Sequence, residues 1–287
     1  MNNPLLLDGK ALSKEIRADL ASRVSALKAR GFTPRIEVVV ASQDPASLAY
    51  VRMKRKWAEE AGMISGTWEV TESTAQEELI AHIRSLNADP GVHGVLIQHP
   101  LPSQLNEDEA LLTLGAEKDV DGITPASLGR LVADLPGFRC ATPLGMMKLI
   151  DRYGIDCKGK NAIVIGRSVI LGKPAALMLL QKHATVTIAH SRTVDLPSLV
   201  AQADIVVAAV GRPEMIRGEW LKPGAVVLDA GYNKVEGRSH DVGDCHFESC
   251  AAVASAITPV PGGVGPMTVA SLLANTVEAA ELTLAGK

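Results

Sequence analysis

Aromatic residues are scarce in this 287-residue chain: three Trp, three Tyr and three Phe, 3% in all. So thin a supply argues against a surface that stacks nucleic-acid bases and against a large aromatic interface. Excess charge is missing too. A net charge of −3 gives no electrostatic case for nucleic acid or an anionic membrane as partner. No run approaches the roughly 20 apolar residues of a membrane span. The opening "MNNPLLLDGK" has only three consecutive leucines, too few for the apolar core of a signal peptide. The expected compartment is therefore the cytoplasm, or an organelle after removal of a presequence. The cysteines, at 140, 157, 245 and 250, form no Cys-x-x-Cys pair and read as buried thiols of a reducing compartment. His240, Cys245, His246 and Cys250 lie close in sequence, but their spacing fits no standard zinc pattern, and no metal is expected.

What is present is an ordinary globular balance, 47% hydrophobic and 21% charged, in a chain long enough for two domains. A helical stripe (Leu12, Ile16, Leu20, Val24, Leu27) precedes the buried-strand run "RIEVVVA" at 35–41. Helices are expected at 47–62, 75–86 and 106–115, with another strand at 92–98. Strands alternating with helices imply a parallel α/β arrangement. After "DLPGF" (134–138) the alternation restarts. Thr142 and Pro143 read as N-cap and first-turn residue of a helix through Tyr153. A nucleotide-binding type of series follows: strand 162–166, helix 172–181, strand 184–189, helix 195–202, and strands 204–210 and 225–231. A final helix is expected over 266–284.

"VIGRSVILGKP" (164–174) has the context for phosphate binding: a strand, a glycine turn and a helix N-terminus that presents unpaired amides. Gly-x-Gly-x-x-Gly is absent, since Ser168 takes the middle position and five residues separate Gly166 from Gly172. Pro174 after Lys173 rules out a Walker A loop. Beyond the second strand, "AHSRT" offers His190, Ser191 and Arg192 where an NAD enzyme usually has an acid for the ribose hydroxyls. With Arg167, that composition favours a 2′-phosphate and hence NADP. Taken alone, a Gly-turned strand–helix junction also occurs in α/β domains that bind no nucleotide.

Tyr50 and Lys54 are four apart on an expected helix and project from one face. A phenol ring beside an ammonium suits a flat heteroaromatic and a proton transfer. Among Arg52, Arg55 and Lys56, however, the residues alone read the lysine as a solvated charge. Asp121, in "EKDVDG", either receives paired N–H donors from an aminopyrimidine-like ring or caps its turn. Gln98 ends a strand, where α/β sheets place ligands. The stretch "TPVPGGVGPMT" (258–268) carries three prolines and three glycines and reads as backbone shaped to lie against something.

Together, "YVRMKRKWAEEAG", "GVLIQHPLP", "KDVDG", "TPLG", "GRSVILGKP", "HSRT", "ADIVVAAVGRP", "KPGAVVLDAGYN" and "TPVPGGVGPMTVASLLANT" resemble the bifunctional methylenetetrahydrofolate dehydrogenase/cyclohydrolase family nearly end to end. The resemblance implies an α/β fold of two domains. One is a folate-binding catalytic domain over 1–140, with the C-terminal helix 266–287 packing back on it. The other is a Rossmann-like NADP-binding domain over 141–265. It implies oxidation of 5,10-methylenetetrahydrofolate with NADP+ and hydrolysis of the methenyl product to 10-formyltetrahydrofolate, in the one-carbon metabolism that serves purine biosynthesis. It also implies tetrahydrofolate derivatives as partners and a homodimer.

Position by position, Lys54 matches the family's catalytic lysine and Tyr50 the tyrosine stacked near the folate. Gln98 matches the glutamine bonded to that lysine, and Asp121 the aspartate that holds the pterin. Gly166, Arg167, Ser168 and Ser191 match cofactor contacts, with Arg192 beside them, and Tyr232 stands where the nicotinamide side of the pocket is lined. Pro261, Gly262, Gly263, Val264, Gly265, Pro266, Met267, Thr268 and Val269 border the folate. The chain departs from the family at four points. Cys140 and Ala141 precede Thr142, His99 replaces an apolar residue, Tyr232 replaces an aliphatic one, and Cys245 stands for a valine. The competing readings are a family member with a single activity, another two-domain NADP oxidoreductase of shikimate dehydrogenase type, and a binding module that has lost catalysis.

Overall fold

The computed structural model describes residues 3–41 and 45–286, with side chains throughout except at 45–50. In chain order the elements begin with β1 (Leu5–Leu6), α1 (Gly9–Ala29), β2 (Arg35–Ala41), α2 (Pro45–Glu60), β3 (Ile64–Val70), α3 (Gln76–Ala88) and β4 (Gly94–Gln98). There follow α4 (Glu107–Thr113), α5 (Pro125–Val132), α6 (Ala141–Arg152), β5 (Asn161–Ile165), α7 (Gly172–Gln181), β6 (Thr185–Ala189) and α8 (Leu196–Val200). The last are β7 (Ile205–Ala208), β8 (Val226–Asp229), α9 (Phe247–Ala251), β9 (Ala256–Ile257) and α10 (Val264–Ala285).

The chain forms two compact units. One comprises the residues up to Lys14 with Thr142–Ser271; the other comprises Glu15–Ala141 and the chain from Leu272 onward.

In the second unit, β2 is the centre of a three-stranded parallel sheet of order β3-β2-β4. Its β-branched run is flanked by partners and covered by helices, so every residue from Ile36 to Ala41 is buried. Val39, Val95 and Ile97 join Leu79, Ile83 and Leu86 of α3 in one core. Two short helices are fixed by their caps: Asn106 accepts from Glu109 N for α4, and Thr124 from Ser127 N for α5, where Pro125 opens the helix.

The other unit holds a six-stranded parallel sheet of order β1-β9-β8-β7-β5-β6. Counting from β5, that is the 2-1-3-4-5 doubly wound order, extended by β1 from near the start of the chain. Strand order reverses between β5 and β7, and this switch point is where such sheets bind ligands at their C-terminal ends. Leu5 N and Leu7 N donate to Ser255 O and Ile257 O, so β1 closes the sheet edge beside β9.

One expected boundary differs. Helix α6 starts at Ala141, so Thr142 is inside the first turn and does not cap it. Ala141 N donates to Asp121 O and draws the helix in a residue early, while the Thr142 hydroxyl accepts from Thr268 Oγ1 at 3.0 Å.

Candidate active site

Three of the expected residues meet in the second unit. Lys54 comes from α2, Gln98 is the last residue of β4, and Asp121 lies in the loop before α5. Lys54 Nζ donates to Gln98 Oε1 at 2.8 Å. Lys54 is only 6% exposed, and burial lowers its pKa from 10.5 to about 8, partly opposed by the Asp121 carboxylate. The reading of Lys54 as a solvated surface charge is therefore overturned. Tyr50 lies in the backbone of α2, but its side chain falls outside the described residues.

The orientation of Gln98 follows from its neighbour. Its Nε2 donates to His99 O at 3.1 Å, which leaves Oε1 for the ammonium. The segment 99–101 is held in turn by Glu107, whose two oxygens take His99 Nδ1 at 2.6 Å and Leu101 N at 2.5 Å. His99, the departure after Gln98, is thus tied into the strand exit.

The two carboxylates of "KDVDG" have separate tasks. Asp119 is fully buried and accepts the amides of Gly122, Ile123 and Thr124, so Asp119 caps the turn. No described residue donates a hydrogen bond to the Asp121 carboxylate. Burial pushes its pKa up, Lys54 pulls it down, Asp119 raises it and His99 lowers it. An acceptor pair in such a setting suits a ligand with two N–H groups.

In the other unit, Gly166 follows β5 at the switch point with φ +132°, and a Cβ there would overlap Ala209 O, next after β7. Ser168 closes the turn: its Oγ accepts from Gly172 N at 3.3 Å and its carbonyl from Lys173 N at 3.0 Å. After β6, His190 N donates to Thr193 Oγ1 and Arg192 N to His190 Nδ1, leaving Ser191 and Arg192 exposed on a tight turn. Arg167 is exposed as well, and no described acid pairs with Arg167 or Arg192. This arrangement fits a dinucleotide carrying an extra phosphate: a tight glycine turn, a helix start and two unneutralised guanidinium groups.

Tyr232, 63% exposed, donates its hydroxyl to Asp241, which raises its pKa. The ends of β7 and β8 are braced by two acids that the sequence did not single out. Asp244 accepts the amides of Val210, Gly211 and Arg212. Asp229 accepts those of Gly231, Asp244 and Cys245, and burial lifts its pKa to about 6.

The Pro/Gly loop is shaped largely by its own unit. Lys10 N donates to Gly262 O, and a Cβ on Gly9 would overlap Gly263 O. Gly263 itself faces Pro259 O and Thr258, so its lack of a side chain serves the loop's internal packing. Val264, Met267 and Val269 are buried, with Met267 against Gly145, whereas Pro261 and Gly265 are exposed and Gly262, Pro266 and Thr268 half-buried.

His240 bonds Ser239, His246 caps α9 and the two cysteines are buried. Glu214, His246 and Glu248 bring ligand-type atoms within 4.8 Å of one another, with Arg238 already paired to Glu214 at 3.0 Å.

The family description "Tetrahydrofolate dehydrogenase/cyclohydrolase, catalytic domain" matches residues 7–121, and the NAD(P)-binding domain of the same family matches 140–284. This chain belongs to the tetrahydrofolate dehydrogenase/cyclohydrolase family. It is 52% identical over 281 residues to the bifunctional protein FolD 2 of Geobacter sulfurreducens, covering 98% of each chain. The crystal structure of the bifunctional FolD enzyme of Campylobacter jejuni superimposes with a TM-score of 0.95 at 44% identity, over 96% of this chain and 98% of that one. The FolD of Trypanosoma brucei, solved with NADP and an inhibitor, gives a TM-score of 0.95 at 35% identity over 99% of each chain. Among the described residues no helix is long and apolar enough to cross a membrane.

Proposed function

We propose that Lys54, Gln98 and Asp121, with Tyr50, form the folate site of a bifunctional enzyme. The enzyme oxidises 5,10-methylenetetrahydrofolate with NADP+ and hydrolyses the methenyl product to 10-formyltetrahydrofolate. The observation that carries the assignment is the buried Lys54–Gln98 hydrogen bond at 2.8 Å, with the lysine pKa near 8. A lysine so placed is partly neutral close to physiological pH. It takes a proton from the water that adds to the amidinium carbon and returns one as the ring opens. Gln98 fixes the amine's position by accepting from it, and its own orientation is set by His99 O. The Asp121 carboxylate receives the paired N–H groups of the pterin.

NADP+, when bound, supplies the hydride acceptor for the oxidation. Gly166, Ser168 and the start of α7 hold its diphosphate, and Arg167, Ser191 and Arg192 its 2′-phosphate. Tyr232 would line the nicotinamide side of that pocket and 261–269, which runs into the first turns of α10, would border the folate; orientation of the two rings accounts for most of the oxidation step. We assign folate binding and catalysis to the unit of Glu15–Ala141 with the chain from Leu272 onward, and NADP binding to the unit of the six-stranded sheet, which also takes in the residues up to Lys14 that the sequence places with the former. The enzyme works as a cytoplasmic homodimer in one-carbon metabolism that supplies purine biosynthesis.

The test follows methenyl absorbance formed from methylenetetrahydrofolate with NADP+, and its decay by hydrolysis, in the native enzyme and in Lys54→Met. We expect both activities in the native enzyme and loss of hydrolysis in the variant, which stays folded and binds NADP. Near-normal hydrolysis by Lys54→Met would remove Lys54 from the mechanism.

A further inference from the structure

Helix α10 is apolar where it passes the folate site: Leu272, Leu273, Val277 and Ala280 are all buried. Ser271, Asn275 and Thr276 interrupt this run; Thr276 Oγ1 donates within the helix to Leu272 O, whereas Asn275, only 3% exposed, reaches outside it. A polar side chain in such a place is costly unless its donors are used. They are used on two carbonyls far away in sequence: Asn275 Nδ2 donates to Val120 O at 2.8 Å and to Arg139 O at 3.1 Å.

Those two carbonyls belong to the backbone that carries Asp121. Val120 precedes Asp121 directly. The segment after Arg139 returns to it, since Ala141 N donates to Asp121 O at 3.2 Å and Cys140 Sγ to Gly122 O at 2.9 Å. Asp119 holds the far side of the turn through three amides. The loop is therefore pinned from both segments, while the carboxylate of Asp121 takes no hydrogen bond from a described residue. A carboxamide carries two hydrogens on one nitrogen and so bridges two converging carbonyls without burying a charge. Leucine would leave both carbonyls unpaired, and aspartate would set acceptor against acceptor.

We infer that Asn275 is the positioning residue for Asp121, joining the two backbone segments that set where its carboxylate meets the pterin. The inference rests on the assignment of Asp121 to folate binding, and a double-mutant cycle separates the two claims. The KM for 5,10-methylenetetrahydrofolate at saturating NADP+ is measured in the native enzyme, Asn275→Leu, Asp121→Ala and the double variant. Asn275→Leu should raise that KM about tenfold, with kcat and the KM for NADP+ changed less than about twofold. In the Asp121→Ala background the same substitution should add less than about twofold. If Asn275→Leu does not fold, as judged by circular dichroism, the cycle is run with Asn275→Ser, which keeps a small polar side chain. Equal effects in both backgrounds, or a matching rise in the KM for NADP+, would show that Asn275 only supports the fold and would overturn the inference. An Asp121→Ala variant with an unchanged folate KM would instead refute the assignment of Asp121.

Discussion

The ionisation of Lys54 links activity and stability through one buried group. Its pKa falls from 10.5 to about 8 because the ammonium loses water, so the amine binds its proton less tightly in the folded protein than in the unfolded chain. Between about pH 8 and 10.5 the unfolded state holds more protons, and stability contributed by this residue rises with pH across that window. Below pH 8 the full penalty applies, on the order of 3 kcal/mol. Lys54→Met should accordingly melt above the native enzyme at pH 7, with the gap closing by pH 10. A gap that does not depend on pH would mean the lysine is not desolvated. In the native enzyme, kcat/KM for hydrolysis should climb through an inflection near pH 8, and a profile flat from pH 7 to 9 would exclude the neutral amine as base.

Arg167 is a residue of the opposite kind, exposed and unneutralised. A charge-assisted contact to a 2′-phosphate is worth about 1.5–3 kcal/mol, so Arg167→Ala should weaken NADP about ten- to a hundredfold and NAD little. Equal loss for both cofactors would assign the arginine to the diphosphate or the fold.

At the scale of elements, what was legible depended on burial. The runs at 35–41, 172–181 and 92–98 have strong apolar patterns, and their strands and helix fall close to where the sequence puts them, the last as β4 over Gly94–Gln98. Strand β3 was missed because "ISGTWEV" is an edge strand, half exposed and carrying Ser, Gly, Thr and Glu, which blurs its alternation. Strands β1 and β9 are two residues long and exist only through pairing with each other and with β8, a non-local cause that no local pattern records. Within the site, spacing gave Lys54 a face but could not give its burial. Asn275 and Asp244 stayed hidden because their partners are distant in the chain.

The strand exit after β4 supplies a further expectation. Glu107, from the first turn of α4, holds His99 and Leu101, and His99 O holds the Gln98 amide. Glu107→Ala should lower the hydrolysis kcat about three- to tenfold while the dehydrogenase kcat changes less, since only hydrolysis relies on proton transfer at Lys54. Equal loss in both assays would make Glu107 a general support of the loop.

Across the whole molecule, β1 ties residues near the start of the chain to the last strand of the nucleotide sheet. Leu7 is fully buried beside that pairing. Leu7→Ala should cost about 2–5 kcal/mol in urea unfolding, a large effect for a residue so near a terminus. A loss below about 0.5 kcal/mol would show that the strand is dispensable. The same pairing sets a timetable for synthesis. A ribosome makes Leu5 and Leu6 well before their partners Ala256 and Ile257, which emerge about 250 residues later, at some 5–20 residues per second. For tens of seconds the backbone N–H and C=O groups of β1 wait without a sheet to join, and Leu7, fully buried in the folded protein, stays uncovered.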